Sequence, residues 1–140
     1  MDESSVRTLW DNEARTILAY DFDPVWNWTD FYKAKAHGDG LLEHVAHDVD
    51  VVFSSPPNVT LPENFIANVV NVARLRHRNA RLAIVVISNG FVRAMFNTLP
   101  KLYQREFSKV SFANSLEDAR RISQEFTFKR ARTGESTLGD

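Results

Sequence analysis

The chain has 140 residues, of which 44% are hydrophobic and 25% charged, and its net charge at pH 7 is −1. This length and composition predict one globular domain, and a charge so near zero gives no overall field to attract nucleic acid or an anionic membrane. The sequence has no cysteine, which excludes disulfides, thiolate metal sites and cysteine nucleophiles.

No apolar run approaches the ~20 residues of a membrane helix, and the first residues are polar and acidic, unlike a signal peptide. We therefore expect a cytoplasmic protein with no membrane partner. The absence of cysteine fits a reducing compartment.

Two short apolar runs open the chain, Val6–Trp10 and Thr16–Phe22. The polar, turn-prone segment 11–15 lies between them and predicts a β-hairpin with a short loop. Pro24 is expected to end the second strand, because proline cannot donate a hydrogen bond to a sheet.

A helix is predicted next. Asn27 is placed to cap it, and Trp28, Phe31 and Tyr32 then share one face at helical spacing. Two glycines in segment 37–40 weaken the pattern, since each costs about 1 kcal/mol relative to alanine. We expect either one helix loosened in the middle or two short helices.

The next strand is predicted at Val49–Phe53, and the proline-rich loop 54–59 follows it. Thr60 and Glu63 have the spacing of a capping box, so we expect a helix to open after Thr60. Apolar residues recur at helical spacing across segment 65–75 and supply the buried face of that helix.

The strongest strand signal is the apolar, β-branched run Leu82–Ile87, which ends at the turn Ser88-Asn89-Gly90. It predicts a strand buried on both faces. A helical pattern continues to Leu102, with Pro100 expected to kink or restart the helix near Leu99.

The chain closes with a short strand at Lys109–Ala113 and a helix capped by Ser115 that runs to Phe126. Residues 129–140 have no periodicity and are predicted to form a disordered tail, which leaves residues 1–128 as the folded domain.

Strands and helices thus alternate after the hairpin, which is typical of an α/β fold. We expect one mixed, mostly parallel sheet with its strands broadly in chain order. The hairpin strand would be antiparallel at one edge, and right-handed crossovers would place the helices mainly on one face.

This order of elements resembles the STAS domains, the fold of bacterial anti-anti-sigma factors. The resemblance spans roughly residues 6–126. It rests on five features: the hairpin, the strand 48–54, the helix after Thr60, the apolar strand into Asn89-Gly90, and the ending F-A-N-S-L-E-D-A at 112–119. The W-x-W at 26–28 is also similar to that of small stand-alone bacterial STAS-like proteins. The resemblance implies a STAS-like fold, an N-terminal β-hairpin then βαβαβα.

The same resemblance implies a non-enzymatic interaction module of bacterial signalling, which binds a kinase, a sigma regulator or a second copy of itself. In anti-anti-sigma factors a kinase phosphorylates a serine or threonine at the start of the helix after the second core strand. Thr60 and then Ser55 are the candidates here. We expect a partner surface at Trp26, Asn58 and Thr60, with the Trp26 ring partly exposed, and we expect no cofactor and no catalytic residue.

A second hypothesis places a small ligand or an anion at the carboxyl ends of the strands, near Asp21, Ser54 and the turn Ser88-Asn89-Gly90. Free N–H groups at a helix N-terminus bind anions. The alternative for the Ser88-Asn89-Gly90 turn is an ordinary tight turn, and the alternative for Thr60 is a helix cap.

Two further clusters are interpreted as surface features. His37, His44 and His47 lack the spacing of a catalytic zinc site, so we expect solvated histidines and no metal. The basic segment 74–81 is expected to be a solvated helix end, because the chain lacks the basic excess and interleaved aromatic residues of a nucleic-acid binder.

Overall fold

The computed structural model describes the backbone of residues 3–138 and the side chains of residues 3–127. Five strands form one sheet in the order β1-β2-β3-β4-β5. The elements in chain order are β1 (Val6–Trp10), β2 (Ile17–Phe22), α1 (Trp28–Leu42), β3 (Val49–Ser54), α2 (Phe65–Arg74), β4 (Ala80–Val86), α3 (Gly90–Leu102), β5 (Val110–Ala113) and α4 (Leu116–Leu138).

The sheet is mixed, with β1 antiparallel to β2 and every other neighbouring pair parallel. Each helical crossover leads to the adjacent strand in the same direction, so right-handed connections place α1, α2 and α3 on one face. The predicted α/β fold, with a mostly parallel sheet in chain order, is confirmed.

The sheet has a core on each side. On the first face α1, α2 and α3 pack against the strands, through side chains that include Phe31, Leu42, Val70, Val92 and Phe96. On the second face α4 packs through Ala119, Ile122 and Phe126. The helices therefore lie mainly on one face, as the sequence predicts.

Helix α1 runs without a break through Gly38 and Gly40, the first of the two alternatives that the sequence leaves open. Asn27 caps it by accepting a hydrogen bond from the Asp30 N–H at 2.7 Å. Gly38 lies against β2, where a Cβ would come 2.1 Å from the Tyr20 hydroxyl oxygen. The missing side chain therefore allows α1 to lie close to the sheet.

Helix α2 begins at Phe65, so the predicted capping box is wrong: Asn64 is the N-cap, and Thr60 and Glu63 both precede the helix. The Thr60 N–H donates to the Pro24 carbonyl at 2.7 Å, and Thr60 forms a parallel bridge with Val25. This long-range pairing keeps the chain extended and overrides the local capping pattern. Asn64 precedes the helix and has a left-handed backbone conformation with φ of 57°. Its side chain makes no capping hydrogen bond.

Helix α3 ends at the predicted residue, and α4 continues further than the sequence predicts. Pro100 lies in the last turn of α3, which ends at Leu102 without a restart, because only one hydrogen bond is lost there. The backbone of α4 is helical to Leu138, where the sequence predicts a tail from Lys129. Good helix formers at 129–132 propagate a helix that has already started. The last two residues lie outside the described part of the chain.

A buried ion pair joins α4 to the second face. The Asp50 carboxylate in β3 is 1% exposed and accepts hydrogen bonds from Arg81 Nε at 2.8 Å, Arg81 Nη2 at 2.6 Å and the Leu82 N–H at 3.1 Å. Ser123 of α4 also donates to Asp50, and Arg81 donates to Thr127 at 2.7 Å. A register shift between β3 and β4 at this point brings these groups together. Both carboxylate oxygens of Asp50 accept hydrogen bonds, which indicates that the ion pair has a structural role.

Candidate functional site

A cavity of about 160 Å³ lies between the first face of the sheet and the helices α1, α2 and α3. The strands β2, β3 and β4 line one side and the three helices line the other. Almost all of the lining is hydrocarbon, from side chains such as Phe31, Phe53, Phe65, Ala73, Val85 and Phe96. The cavity is the strongest candidate for a functional site in the described part of the chain.

The cavity exists because the helices lie at different distances from the strands. Helices α1 and α4 approach the sheet closely, with Ala34, Gly38 and Ala119 at their contacts. Helices α2 and α3 lie further away and meet the sheet through large rings, Phe65 and Phe96. Rings that hold two helices away from the strands leave space between them.

Connected aromatic rings form one wall of the cavity. Tyr20 stacks on Phe53 with their centroids 5.1 Å apart. Phe65 lies 6.4 Å from Trp26 and 5.9 Å from Phe96, edge to face in both contacts. Such ring pairs contribute about 0.5–1.5 kcal/mol each beyond the area they bury. The wall is therefore a stable surface for a ligand to contact.

Trp26 carries a fully buried polar atom in this wall that lacks a partner. Its side chain is 8% exposed, and its indole Nε1 is the only buried side-chain nitrogen or oxygen without a hydrogen bond among residues 3–127. The neighbouring Trp28, by contrast, donates its Nε1 hydrogen to the Glu63 carbonyl at 2.9 Å. A buried donor left unsatisfied costs about 1–3 kcal/mol, so the Trp26 donor requires an explanation.

The charged side chains that line the cavity are mostly paired with protein groups. Lys35 Nζ contacts Asp39 at 2.8 Å and the Leu75 carbonyl at 3.0 Å, which ties α1 to the end of α2. Glu106 accepts a hydrogen bond from Arg74 Nε at 3.0 Å. These pairs form a polar rim and leave the interior of the cavity apolar.

Two ionisable groups near the cavity have shifted pKa values. Burial, with a further contribution from the negative charge of Asp39, raises the pKa of Tyr20 well above its ordinary value of 10.0, so its phenol stays neutral. Hydrogen bonds from Arg78 and then His77 lower the pKa of Glu43 to about 2. His77 lines the cavity and contacts Glu43 at 2.7 Å through Nε2.

The partner surface expected from sequence is only partly present. Trp26 is buried, so the prediction that its ring is partly exposed is wrong; its contacts with Phe22 and Phe65 enclose it. Asn58 and Thr60 are exposed. Partner contacts at this edge would therefore use the loop and not the indole ring.

The phosphoacceptor candidates do not lie at a helix N-terminus. Thr60 is exposed but precedes α2 by several residues, in the bridge with Val25. Ser55 is partly buried and lines the cavity. The stabilisation of a phosphate by free helix N–H groups, on which the sequence argument depends, is absent from Thr60 in this arrangement.

The turn before α3 uses its own side chain as a cap. Asn89 Oδ1 accepts hydrogen bonds from the N–H groups of Phe91 at 2.9 Å and Val92 at 3.2 Å, and its Nδ2 donates to the Pro57 carbonyl at 3.1 Å. Gly90 does not have a positive φ. The helix N–H groups that would hold an anion beside Ser88 already have a partner, so an ordinary capped turn is the better interpretation.

The strand-end residues of the small-ligand hypothesis lie away from the cavity. Asp21 and Ser54 are register partners and point to the second face, and Asp21 contacts Arg7 at 3.2 Å. Neither they nor the Ser88-Asn89-Gly90 turn line the cavity. The cavity therefore lies beneath the helices and not at the strand tips.

Most side chains of the histidine and arginine clusters contact other groups of the protein. His44 contacts the Gly40 carbonyl and His47 the Arg15 carbonyl, both at 2.8 Å. No group of three histidine, aspartate or glutamate side chains within the described residues could hold a metal ion. In the basic segment 74–81, three of the four arginines pair with carboxylates: Arg74 with Glu106, Arg78 with Glu43 and Arg81 with Asp50.

Sequence reasoning identifies the cavity-lining residues but not the cavity. Phe65 and Phe96 are expected in the core from their helical spacing, and both are there. Periodicity reports which side chains face inward and says nothing of whether they fill the space between the layers. The sequence feature most closely related to the cavity is the large number of aromatic rings, 10 Phe, 3 Trp and 3 Tyr in 140 residues.

Comparison with known proteins returns no relative. No family model matches the chain, and no significant match is found among curated proteins or among solved structures. No described helix is both long and apolar enough to cross a membrane. The α/β architecture is shown by the structure, and the STAS resemblance stays a prediction from sequence.

Proposed function

We propose that this protein binds a small apolar molecule in the cavity between the sheet and helices α1, α2 and α3. The observation that carries the proposal is a cavity of about 160 Å³ whose lining is almost entirely hydrocarbon. Cores are normally packed without such spaces, because each lining atom loses dispersion contacts across a gap. A bound molecule restores those contacts.

The volume sets the size of the ligand. An apolar cavity of about 150 Å³ stays dry and takes up benzene or xenon. This cavity therefore accommodates one six-membered ring with a short substituent. Binding would bury apolar surface and form few hydrogen bonds. We therefore expect the heat capacity to decrease on binding.

The test is a titration with α-methylstyrene, an aromatic hydrocarbon of the expected size, followed by ligand-observed NMR. The variant Ala73→Leu extends a larger side chain into the cavity from α2, since Ala73 is a lining residue. Ala67→Leu makes the same change at an exposed position of the same helix and serves as the matched control.

We expect the hydrocarbon to bind the unmodified protein and Ala67→Leu alike, and Ala73→Leu to lose affinity by about tenfold or more. Urea unfolding of both variants confirms that they remain folded. Equal binding by all three proteins, or no binding by any of them, contradicts the proposal.

A second candidate function is the signalling module implied by the STAS resemblance, which we propose acts in the cytoplasm. The observation that favours it is two apolar side chains exposed at the carboxyl edge of the sheet, Val25 at 72% and Phe91 at 71%. The Thr60 bridge to Val25 and the Asn89 bond to Pro57 connect the segments that carry them.

Binding to a purified candidate kinase, measured by native mass spectrometry, tests this second function. Phe91→Ser should weaken the complex, because Phe91 would lie at its apolar centre. If phosphorylation of Thr60 controls the complex, Thr60→Glu changes its abundance. No complex with any kinase, and no self-complex, counts against the module.

A further inference from the structure

We propose, resting on the function proposed above, that the ligand of the cavity carries a neutral hydrogen-bond acceptor, a carbonyl oxygen of a ketone, aldehyde or ester, which binds the indole N–H of Trp26. The proposal assigns Trp26 as the residue that selects among apolar ligands of equal size.

The side chain that carries the unpartnered donor is also part of the cavity wall, because Trp26 is one of the residues that line the cavity. Its side chain is more than nine-tenths buried, with 8% exposed, and its Nε1 is the only buried unpartnered polar side-chain atom in residues 3–127. An indole N–H donates and cannot accept, so the missing partner must be an acceptor.

The indole has little freedom to find a partner elsewhere in the protein. Phe22 lies 4.8 Å from Trp26 at an interplanar angle of 70°, and Trp28 lies 4.8 Å away at 75°. Phe31 and Phe65 close the remaining sides at 6.2 Å and 6.4 Å. A ring held on four sides by other rings keeps its N–H where it is.

The apolar lining selects a neutral acceptor. An isolated carboxylate bound at Trp26 would need a cation beside it. Of the cations that line the cavity, Lys35 is paired with Asp39 at 2.8 Å, and Arg76 is exposed beyond the end of α2, whereas Trp26 contacts Phe65 at the start of that helix. A buried water needs two to four polar partners. The four rings around the indole offer it none, because three of them are phenylalanines and Trp28 already donates its N–H to Glu63. A carbonyl group on a hydrocarbon frame matches both the donor and the rest of the lining.

The experiment compares two ligands of the same shape, acetophenone and α-methylstyrene, in which a carbonyl oxygen replaces a methylene group. Their affinities are measured by NMR for the unmodified protein and for a protein in which 3-benzothienylalanine replaces Trp26. That residue has the shape of tryptophan with sulfur in place of the N–H, so the fold and the cavity are retained. The same replacement at Trp28, whose N–H donates to Glu63, is the matched control.

We expect the ratio of acetophenone affinity to α-methylstyrene affinity to fall about fivefold on replacement of Trp26, the effect of one hydrogen bond, and to stay unchanged on replacement of Trp28. Taking the change in this ratio cancels the different hydration of the two ligands. The Trp26 indole proton should also shift downfield with acetophenone and not with the hydrocarbon.

The two proposals fail differently. If α-methylstyrene binds and the ratio is the same with and without the Trp26 N–H, the assignment of the acceptor is wrong and the cavity function stands. If neither ligand binds the unmodified protein, both proposals are overturned.

Discussion

Gly38 determines how closely α1 approaches the sheet. The Tyr20 hydroxyl oxygen occupies the place of a side chain at this position, and Tyr20 in turn stacks on Phe53 in the cavity wall. In sequence the same glycine looks like a weak point in a helix, because only the helix propensity is visible there. The contact that requires it lies in another element.

We predict that Gly38→Ala destabilises the protein by about 1–3 kcal/mol, as expected for overpacking a filled site. Gly40→Ala, where nothing lies within 4 Å of a new Cβ, should instead stabilise it by about 0.5–1 kcal/mol, since alanine is the better helix former. Urea unfolding of both variants gives the comparison. A similar effect at the two positions would contradict the close approach of α1.

Glu43 ties the end of α1 to the segment before β4 through Arg78 and His77. Its pKa is lowered from the ordinary 4.5 to about 2 by those hydrogen bonds, Arg78 first. A carboxyl with a lowered pKa stabilises the fold above its unfolded pKa, and this contribution is lost as pH falls through the folded pKa.

We therefore predict that Glu43→Gln is less stable than the unmodified protein at neutral pH, and that the difference disappears between pH 4.5 and about 2. Glu13→Gln, in the exposed hairpin loop, controls for the loss of one negative charge. Unfolding free energies measured across that range decide the matter. A difference that does not change with pH would show that the Glu43 contacts do not depend on its charge.

At the scale of elements, the helix starts show where sequence patterns suffice. Asn27 is predicted from sequence as a cap, and Asn89 is predicted only as part of a turn. Both cap their helices with hydrogen bonds from backbone N–H groups. The start of α2 is not recognised, because the pairing of Thr60 with Val25 is non-local. Local capping residues predict a boundary only where no distant strand competes for the backbone.

The two asparagines before α3 and α2 should respond differently to mutation. Asn89→Ala removes two cap bonds and the bond to Pro57, and we expect a loss of about 1–2 kcal/mol. Asn64 makes no side-chain cap bond and has φ of 57°, so Asn64→Gly should change stability by less than about 0.5 kcal/mol, since glycine adopts this conformation freely. Thermal unfolding measures the stability of both variants. An equal loss of stability in the two would contradict the capping bonds described for Asn89.

At the scale of the whole molecule, the sequence predicts the order, type and pairing of the elements well. The apolar run Leu82–Ile87 forms most of the interior strand β4, between β3 and β5. The predicted burial on both faces holds on one face only, because Ala83 and Val85, which line the cavity, are partly buried. The alternation in β3 correctly separates its two sides. The Asp50–Arg81 pair could not be anticipated, because a register shift and a helix distant in sequence complete it. The unfilled space could not be anticipated either, because it depends on how far α2 and α3 lie from the strands.

The two faces of the sheet are packed differently, and this difference is the basis of the proposed function. On the second face the small residue Ala119 and the satisfied Asp50–Arg81 pair hold α4 against the strands. On the first face Phe65 and Phe96 separate α2 and α3 from the strands and line the cavity. The second face is therefore filled by the protein's own side chains, whereas the first face retains the space that the proposed ligand occupies.

Diffraction from crystals pressurised with xenon tests the central claim most directly, because xenon occupies apolar cavities of this size. We predict anomalous density between the sheet and helices α2 and α3, in van der Waals contact with Phe53, Phe65 and Phe96. Density confined to the surface, with those rings in contact across the space, would contradict the cavity and the function proposed from it.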